Sequence, residues 1–197
     1  AKVSDKIGVI KALLPKVNLI LIGGAMAYTF MKARGLPVGR SRIEEEKVDL
    51  ARELFAIAAQ RHVPMVLPVD HIVATTPSSD ASVQTVSSLP SDKMGLDIGP
   101  RAINDFIEHL SAARTVVWNG PLGFFEIPQF AQGTLKVGEA LANLTGVTSL
   151  IGGGDTAAAL AHQPWADKFT HISTGGGATL EYLEGVELPG VKALETA

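Results

Sequence analysis

The sequence predicts a doubly wound α/β fold, with a mainly parallel sheet and helices on both faces. Short apolar runs that end in Gly or Pro alternate along the chain with segments of helical periodicity. Continuous apolar runs bounded in this way are typical of strands buried on both faces of a parallel sheet. Their alternation with helices favours a Rossmann-like architecture. With 197 residues, we expect one domain over 1–197.

Three of the apolar runs lead into a glycine cluster and then into small residues that open a helix. These runs begin at Asn18, Thr148 and His171, and the clusters are Gly23-Gly24, Gly152-Gly153-Gly154 and Gly175-Gly176-Gly177. Two further runs, 64–67 and 115–118, lead into Pro68 and Asn119-Gly120-Pro121. We therefore expect five core strands, with loop or short β structure across 74–98.

Helical periodicity marks the segments between these strands. Apolar residues three or four positions apart predict helices over 3–14, 44–60, 102–112 and 135–144. Gly99-Pro100 suits the entry to the third of these, because proline fits the first position of a helix.

The composition excludes several classes of function. The 17 Lys and Arg against 20 Asp and Glu leave a net charge of −3, which argues against a nucleic-acid partner. No apolar segment reaches the roughly 18 residues of a membrane span. The absence of cysteine excludes disulfides and thiolate metal sites and fits a reducing compartment. We therefore expect a cytoplasmic protein without membrane partners.

The glycine clusters are the strongest indication of a binding site. In an open α/β sheet, ligands bind beyond the carboxyl ends of the strands. The clusters follow those ends and precede helix N-termini, whose free N–H groups favour anions. One cluster alone could serve a tight turn or close helix packing, but three at one edge favour nucleotide or phosphate binding. No GxxxxGK[ST] motif is present, which excludes an ordinary P-loop.

The segment Gly152–Ala157 leaves alternatives open. It matches the looser dinucleotide pattern G-x-G-x-x-A, so an NAD(P)-dependent dehydrogenase is one candidate, although the acidic residue expected after the next strand is missing. Asp155 would repel a pyrophosphate, so we interpret it as a Mg²⁺ ligand acting beside phosphate oxygens. It could instead cap its own helix. A nucleotide-sensing module without catalysis is the non-enzymatic alternative.

Two lysines and one glutamate complete the candidate residues. Lys2 and Lys6 share one helix face near the N-terminus, where cations oppose the helix dipole and an anion would compensate them. Glu126 follows a strand and could accept hydrogen bonds from ribose hydroxyls. Solvent exposure is the alternative for each of them. The five histidines lack metal-ligand spacing and are predicted to be core or surface residues.

Seven ordered motifs resemble the phosphoglycerate kinase family, in particular its nucleotide-binding C-terminal half. They lie at residues 1–6, 23–30, 67–70, 95–100, 117–126, 152–156 and 171–177, and the likeness weakens only across about 71–93. Ala25 replaces a glycine that is usual in the family and Phe124 replaces a frequent valine, and both bear on the adenine pocket. The chain begins Ala1-Lys2-Val3, without Met, and we expect the family's amino-terminal domain to be absent from it.

The resemblance implies the glycolytic reaction ATP + 3-phosphoglycerate ⇌ ADP + 1,3-bisphosphoglycerate, with Mg²⁺ accompanying ATP or ADP. It implies that Lys2 stabilises the phosphoryl group in flight, together with the amides of Gly175, Gly176 and Gly177, and that Lys6 holds the nucleotide phosphates. It also implies that Gly23, Gly24 and Gly95 line the adenine site, and that Asn119, Pro121 and Glu126 border the nucleotide and its ribose. It implies that the phosphates and the metal are bound by Gly153, Gly154, Asp155 and Thr156, with Asp155 as the metal ligand.

The absence of an obvious general base is consistent with this reaction. The acceptor carboxylate is already ionised at neutral pH, so only charge stabilisation and alignment remain to be supplied. We expect a monomer that meets 3-phosphoglycerate or 1,3-bisphosphoglycerate through the missing amino-terminal domain. The 197 residues alone are expected to bind ATP or ADP and to be nearly inactive.

Overall fold

The computed structural model describes residues 3–173 and 175–195 and confirms an α/β architecture with parallel sheets flanked by helices. Its α-helices are α1 (Val3–Leu13), α2 (Met26–Ala33), α3 (Val48–Gln60), α4 (Pro100–Ser111), α5 (Gln132–Asn143), α6 (Gly154–Leu160), α7 (Gly176–Glu184) and α8 (Pro189–Glu195). Its strands are β1 (Ile20–Leu21), β2 (Met65–Val66), β3 (His71–Ala74), β4 (Gln84–Val86), β5 (Met94–Ile98), β6 (Thr115–Asn119), β7 (Thr148–Gly152) and β8 (His171–Ile172).

The strands form two parallel sheets and one antiparallel sheet. β1 pairs with β2, and β6, β7 and β8 lie side by side in that order. All five strands predicted from the apolar runs are present in these two sheets. The segment predicted as loop or short β structure forms the antiparallel sheet, in which β3 lies between β4 and β5.

The apolar core has two clusters that meet at β1 and β2. One is built on α1, α2 and α3, with Phe30 and Leu54 fully buried. The other is built on α4, α5 and the β6–β8 sheet, with Phe106 and Ile151 among its most buried residues. Leu21 and Val66, which lie on β1 and β2, pack against the second cluster, so the small sheet contacts both clusters.

The starts of α3 and α5 differ from the predicted ones. The predicted helix 44–60 opens with a 3₁₀ turn over Glu45–Lys47 before α3 begins at Val48. α5 begins at Gln132 rather than 135, because Asp97 accepts a hydrogen bond from its first turn. α4 begins at Pro100 directly after Gly99, as predicted. Within the described residues, no helix has both the length and the apolarity needed to cross a bilayer.

Candidate functional site

The loops that follow β1, β6 and β7 meet at one edge of the parallel sheets, and they include two of the three glycine clusters that the sequence predicted to share an edge. The Gly24 N–H donates to the Leu122 carbonyl at 3.1 Å. The Gly120 N–H donates to Thr156 Oγ1 at 2.7 Å. These hydrogen bonds join the three loops into one continuous surface, which we call the carboxyl edge.

Lys6 reaches the carboxyl edge from α1. Its Nζ donates to Asn119 Oδ1 at 2.5 Å. The Asn119 side chain lies against the glycine loop after β7, where a Cβ on Gly153 would be 3.1 Å from Oδ1 and a Cβ on Gly152 would be 3.2 Å from Nδ2. Three of the residues or segments that the sequence singled out, namely Lys6, Asn119 and the 152–156 loop, are therefore in contact.

The Asn119 amide nitrogen is an unsatisfied hydrogen-bond donor within the described structure. Nδ2 is buried and has no hydrogen-bond partner among residues 3–173 and 175–195. A buried donor without an acceptor costs about 1–3 kcal/mol. A ligand oxygen at this position would remove that cost, so the amide favours an acceptor-rich ligand such as a phosphate.

The 152–156 loop turns directly into α6. Gly153 is the N-cap of α6 with φ of 90°, in the left-handed region that favours glycine. Asp155 lies in the first turn and is exposed. The N-cap position is occupied by Gly153 rather than by Asp155, so the capping role weighed for Asp155 is wrong.

A metal ion at the carboxyl edge would find a single carboxylate from this loop. Among residues 3–173 and 175–195, no group of three or more His, Cys, Asp or Glu could hold a metal ion. The exposed Asp155 carboxylate fits Mg²⁺ of the kind that takes one carboxylate and completes its shell with phosphate and water oxygens.

Thr156 has a structural contact of its own. Its side chain is fully buried and its Oγ1 accepts the Gly120 N–H. The hydroxyl thereby links α6 to the loop after β6. The contact of Thr156 with Gly120 is thus observed, whereas its contact with the nucleotide phosphates stays a prediction.

Gly23 and Gly24 are required by packing against the loop after β6. A Cβ on Gly23 would lie 2.5 Å from Leu122 Cδ2, and one on Gly24 would lie 2.6 Å from the Pro121 carbonyl oxygen. Gly24 also has φ of 63°, which L-residues with a side chain rarely adopt. Close packing, the simpler interpretation of such a cluster, therefore applies to this pair.

Gly95 is required by packing as well. A Cβ there would lie 2.0 Å from the Tyr28 hydroxyl oxygen. The Gly95 N–H donates to Ser41 Oγ at 2.9 Å. Burial raises the pKa of Tyr28 above its usual range, and the neighbouring Asp97 adds to this effect.

Other glycines at the carboxyl edge face open space. Within the part of the chain that the structure describes, a Cβ on Gly154 or Gly177 would meet no atom within 4 Å, and one on Gly175 would meet only Ser173 Oγ at 3.6 Å. None of the three has a positive φ. Neither protein packing nor backbone conformation therefore requires glycine there, which leaves the close approach of a ligand as a physical reason.

α7 carries the last glycine cluster and packs beside α1. The Gly175 N–H donates to Ser173 Oγ at 3.2 Å, and α7 begins at Gly176. A Cβ on Gly8 would lie 2.6 Å from Glu184 Oε1, so α1 and α7 approach closely. Lys6 is therefore carried by a helix that packs beside α7, and the close contact of Gly8 is with Glu184 at the C-terminal end of α7. Lys2 lies outside the described residues.

The loop after β6 runs along β5. Pro121 is half-buried and Glu126 is exposed. The Phe124 N–H donates to the Leu96 carbonyl at 2.8 Å, while its side chain is 41% exposed. Phe125 is half-buried. Phe124 therefore offers an open aromatic surface beside β5.

The search for site residues in the sequence missed Asp97. It is buried, and its two carboxylate oxygens accept the N–H groups of Ile98 and Gly133, each at 2.8 Å. Burial raises the pKa of Asp97 to about 7, an effect that hydrogen bonds from the amides of Gly133, Ile98 and Gln132 oppose. An acidic residue inside the otherwise apolar run 94–98 was the available signal.

The buried polar pair His71 and Tyr28 was also missed. The Tyr28 hydroxyl lies 3.5 Å from His71 Nδ1, and His71 Nε2 has no hydrogen-bond partner in the described part of the chain. Burial lowers the pKa of His71 to about 4, although Asp70 raises it in part. His71 is thus a core residue, one of the two roles predicted for the histidines.

Comparison with known proteins identifies the family. A family profile described as phosphoglycerate kinase matches residues 1–186. The chain belongs to the phosphoglycerate kinase family. The phosphoglycerate kinase of Lactobacillus delbrueckii subsp. lactis is 55% identical over 192 residues, which are 97% of this chain and 47% of that protein. That of Listeria welshimeri is 56% identical over 196 residues, which are 98% of this chain and 49% of that protein.

Solved structures agree with the fold. The phosphoglycerate kinase from Coxiella burnetii matches with a TM-score of 0.93 and 42% identity, over 98% of this chain and 50% of that one. The phosphoglycerate kinase from Pyrococcus horikoshii matches with a TM-score of 0.83 and 32% identity, over 99% of this chain and 50% of that one. The chain therefore spans about half the length of the phosphoglycerate kinases that it matches. Membership also removes the main support for a dehydrogenase, which depended on the pattern at 152–157.

Proposed function

We propose that this chain is the ATP- and ADP-binding half of a phosphoglycerate kinase that works in glycolysis. The observation that carries the proposal is the buried, unpartnered Nδ2 of Asn119, which lies between Lys6 and the 152–156 loop. An amide donor beside a lysine and a glycine loop is suited to phosphate oxygens. The proposal extends family membership to a division of labour between two halves of a longer enzyme.

The phosphates of the nucleotide would lie along Lys6, Asn119 and the start of α6. Lys6 brings a positive charge, and Asn119 brings a donor that already lacks an acceptor. The glycines at 153 and 154 let phosphate oxygens approach the backbone closely, and Thr156 holds the loop through Gly120. Asp155 would hold the Mg²⁺ that arrives with the nucleotide, and that ion supplies positive charge against the phosphate oxygens.

The adenine and ribose would lie farther along the same edge. The adenine would lie against the backbone of Gly23, Gly24 and Gly95, with Pro121 at its border; the packing of Gly24 against the Pro121 carbonyl oxygen supports this grouping for two of the four residues. Glu126 is exposed and can accept hydrogen bonds from ribose hydroxyls. Among the described residues, the structure gives this carboxylate no intramolecular hydrogen bond or ion pair with which a ribose would compete.

Phosphoryl transfer needs charge stabilisation rather than a general base. The acceptor in the direction of ATP consumption is a carboxylate, which is ionised at neutral pH. Lys2 and the backbone amides of Gly175, Gly176 and Gly177 would stabilise the negative charge of the group in transit. α1 carries Lys6 and begins one residue after Lys2, and its packing beside α7, which begins within the glycine segment, supports this pairing.

The proposal also covers the second substrate, the oligomeric state and the location of the enzyme. We propose that 3-phosphoglycerate or 1,3-bisphosphoglycerate binds to the half that relatives have and this chain does not span. We also propose that residues 1–197 form a single domain, that the enzyme is monomeric and cytoplasmic, and that it has no nucleic-acid or membrane partners.

Calorimetry tests the nucleotide site directly. The 197-residue chain is titrated with ADP in the presence of Mg²⁺, with NADH as the control ligand. We expect saturable binding of ADP and none of NADH, and absence of ADP binding would refute the proposed site. Binding of NADH instead would support the alternative function, an NAD(P)-dependent dehydrogenase. A coupled assay of 3-phosphoglycerate turnover is expected to give negligible activity for the chain alone, and robust activity would contradict the division of labour.

A further inference from the structure

Asp97 lies on β5, beneath the segment that runs from the end of β6 to the start of α5, here named the 120–131 loop. Its carboxylate is 1% exposed, and each oxygen accepts a backbone N–H, from Ile98 on its own strand and from Gly133 in the first turn of α5. The backbone amide of Gln132, also in the first turn of α5, lowers the pKa of Asp97 in the same way as these two amides. No ion pair among the described residues includes Asp97, so backbone amides and the N-terminus of α5 hold its charge.

The tip of the 120–131 loop rests on the same carboxylate. A Cβ on Gly123 would lie 2.3 Å from Asp97 Oδ1 and 2.3 Å from the Phe130 carbonyl oxygen, so the backbone at Gly123 packs directly against both. The next residue, Phe124, donates its N–H to Leu96, the neighbour of Asp97 on β5. Asp97 therefore contacts the strand below the loop, the loop itself and the helix at its end.

We infer that Asp97 is a positioning residue for the nucleotide, because its carboxylate holds the 120–131 loop in the conformation that presents Pro121 and Glu126 at the carboxyl edge. The inference rests on the proposed function, since it assigns the loop to nucleotide binding. It adds a residue that itself contacts no ligand, because it is buried beneath the loop. Nucleotide affinity should therefore depend on Asp97 more than the chemical step does.

The chemistry of the carboxylate makes Asp97→Asn a sharp test. Both oxygens are used by different amides, whereas an asparagine side chain has only one acceptor oxygen. Whichever way the amide turns, one backbone N–H loses its acceptor and faces a second donor. The substitution changes the shape of the side chain very little, so the hydrogen bonds are what is altered.

Asp70 provides a matched control. It is buried like Asp97, and its two oxygens accept the N–H groups of Ala102 and Arg101 at the start of α4. Gly99 packs against it as Gly123 packs against Asp97, with a Cβ position 2.3 Å from the carboxyl carbon. α4 carries none of the proposed nucleotide contacts, so Asp70→Asn damages the same kind of helix cap without disturbing the loop.

The experiment compares ADP binding and kinetics of the intact protein, Asp97→Asn and Asp70→Asn at about pH 8, where carboxylates are ionised. Circular dichroism and thermal unfolding establish that each variant is folded. We expect Asp97→Asn to weaken ADP binding and raise the KM for nucleotide at least about tenfold, the size of a lost hydrogen bond to a charged group. We expect kcat to change less than about twofold, and Asp70→Asn to leave both quantities near the unsubstituted values.

Each alternative outcome has a distinct meaning. If the unsubstituted protein does not bind ADP, the proposed function fails. If it binds ADP and Asp97→Asn binds equally well, or if both aspartate variants weaken binding equally, the positioning role is overturned while the function stands. If Asp97→Asn does not fold, Gly123→Ala replaces it, because the added Cβ pushes the loop off Asp97 and leaves the hydrogen bonds to α5 in place. Unchanged ADP affinity in a folded Gly123→Ala variant would equally overturn the inference.

Discussion

Lys6 and Asn119 meet across the carboxyl edge, where the lysine Nζ donates to the amide oxygen at 2.5 Å. The amide nitrogen is buried and finds no hydrogen-bond partner among the described residues. The contact joins α1 to the end of β6. It orients the Asn119 amide so that its remaining donor faces the glycine loop after β7. The pair is thus arranged for a ligand that carries acceptors.

Asn119→Asp is expected to separate folding stability from nucleotide affinity. The carboxylate would pair with Lys6 and would remove the unmet donor, so the free energy of unfolding should be unchanged or higher. Phosphate oxygens would meet a negative charge, so the affinity for ADP should fall at least about tenfold. Urea unfolding and calorimetry measure the two quantities. The exposed Asn104 offers the control Asn104→Asp, which should change neither; equal ADP affinity in Asn119→Asp would contradict the expectation.

Gly95→Ala is expected to destabilise the protein through a steric clash. The new Cβ would lie 2.0 Å from the Tyr28 hydroxyl oxygen, which is inside a buried cluster that cannot move freely. Overpacking of this kind costs about 1–3 kcal/mol. Thermal and urea unfolding should show the loss, and Tyr28→Leu in the same chain should recover part of it. An unchanged free energy of unfolding would mean that Tyr28 moves aside without cost.

Gly177→Ala is expected to stabilise the protein slightly and to lower the activity of the intact enzyme. The position lies in α7, has no positive φ, and has open space where the methyl group would be. Alanine in a helix is favoured over glycine by roughly 0.5–1 kcal/mol, so stability should rise slightly. In the intact protein kcat should nevertheless fall at least about tenfold, because the methyl group keeps the phosphoryl group from the backbone amides. Full activity would show that glycine is not needed there by a ligand.

His71 is expected to reduce stability in mildly acidic solution. Its pKa is lowered to about 4 by burial, whereas that of an unfolded histidine is about 6.5. The unfolded chain therefore binds more protons between these values, so the stability contribution is present above about pH 6.5 and is lost as the pH falls toward 4. The loss between about pH 7.5 and 5 should be about 2 kcal/mol.

His71→Phe isolates this effect. Urea unfolding of both proteins at the two pH values gives the difference in stability. The contribution of Asp97, whose pKa is raised to about 7 and which acts in the opposite sense, is common to both proteins and cancels. The variant should lose less stability on acidification than the unsubstituted chain. The same pH dependence in both proteins would show that His71 does not titrate as described.

Lys2→Ala tests the division of roles between the two lysines in the intact enzyme. A residue that acts on the group in transit should affect kcat far more than ATP affinity, whereas Lys6→Ala should affect affinity more strongly. Steady-state kinetics and equilibrium binding measure the two effects. Equal losses of kcat and ATP affinity in Lys2→Ala would make that lysine a ground-state anchor instead.

Much of the fold could be predicted because it depends on short-range patterns. Apolar runs ending in Gly or Pro marked β1, β2, β6, β7 and β8, and helical periodicity marked α1, α3, α4 and α5. The start of α5 could not be predicted, because Asp97 caps it from a distant strand. The antiparallel pairing across 71–98 was also beyond short-range patterns, since registers such as Ile72 with Thr85 are set between strands.

The residues of the candidate site could be predicted, whereas the physical role of each glycine could not. Lys6, Asn119 and the 152–156 loop were all singled out, and the structure brings them into contact. A row of glycines, however, looks the same whether it serves packing or a ligand. Gly95 is required by Tyr28, while Gly177 is required by nothing in the described protein.

By itself, the sequence determined the α/β class and the chemistry available at the ends of its strands, because periodicity and glycine clusters act over a few neighbouring residues. Only the tertiary structure decided which amide was left without an acceptor and which carboxylate lay beneath the loop. Asn119 and Asp97 acquire these properties from burial and from partners such as Lys6 and Gly133, which are far away along the chain. Desolvation and distant hydrogen bonds depend on the assembled fold, so no local pattern records them.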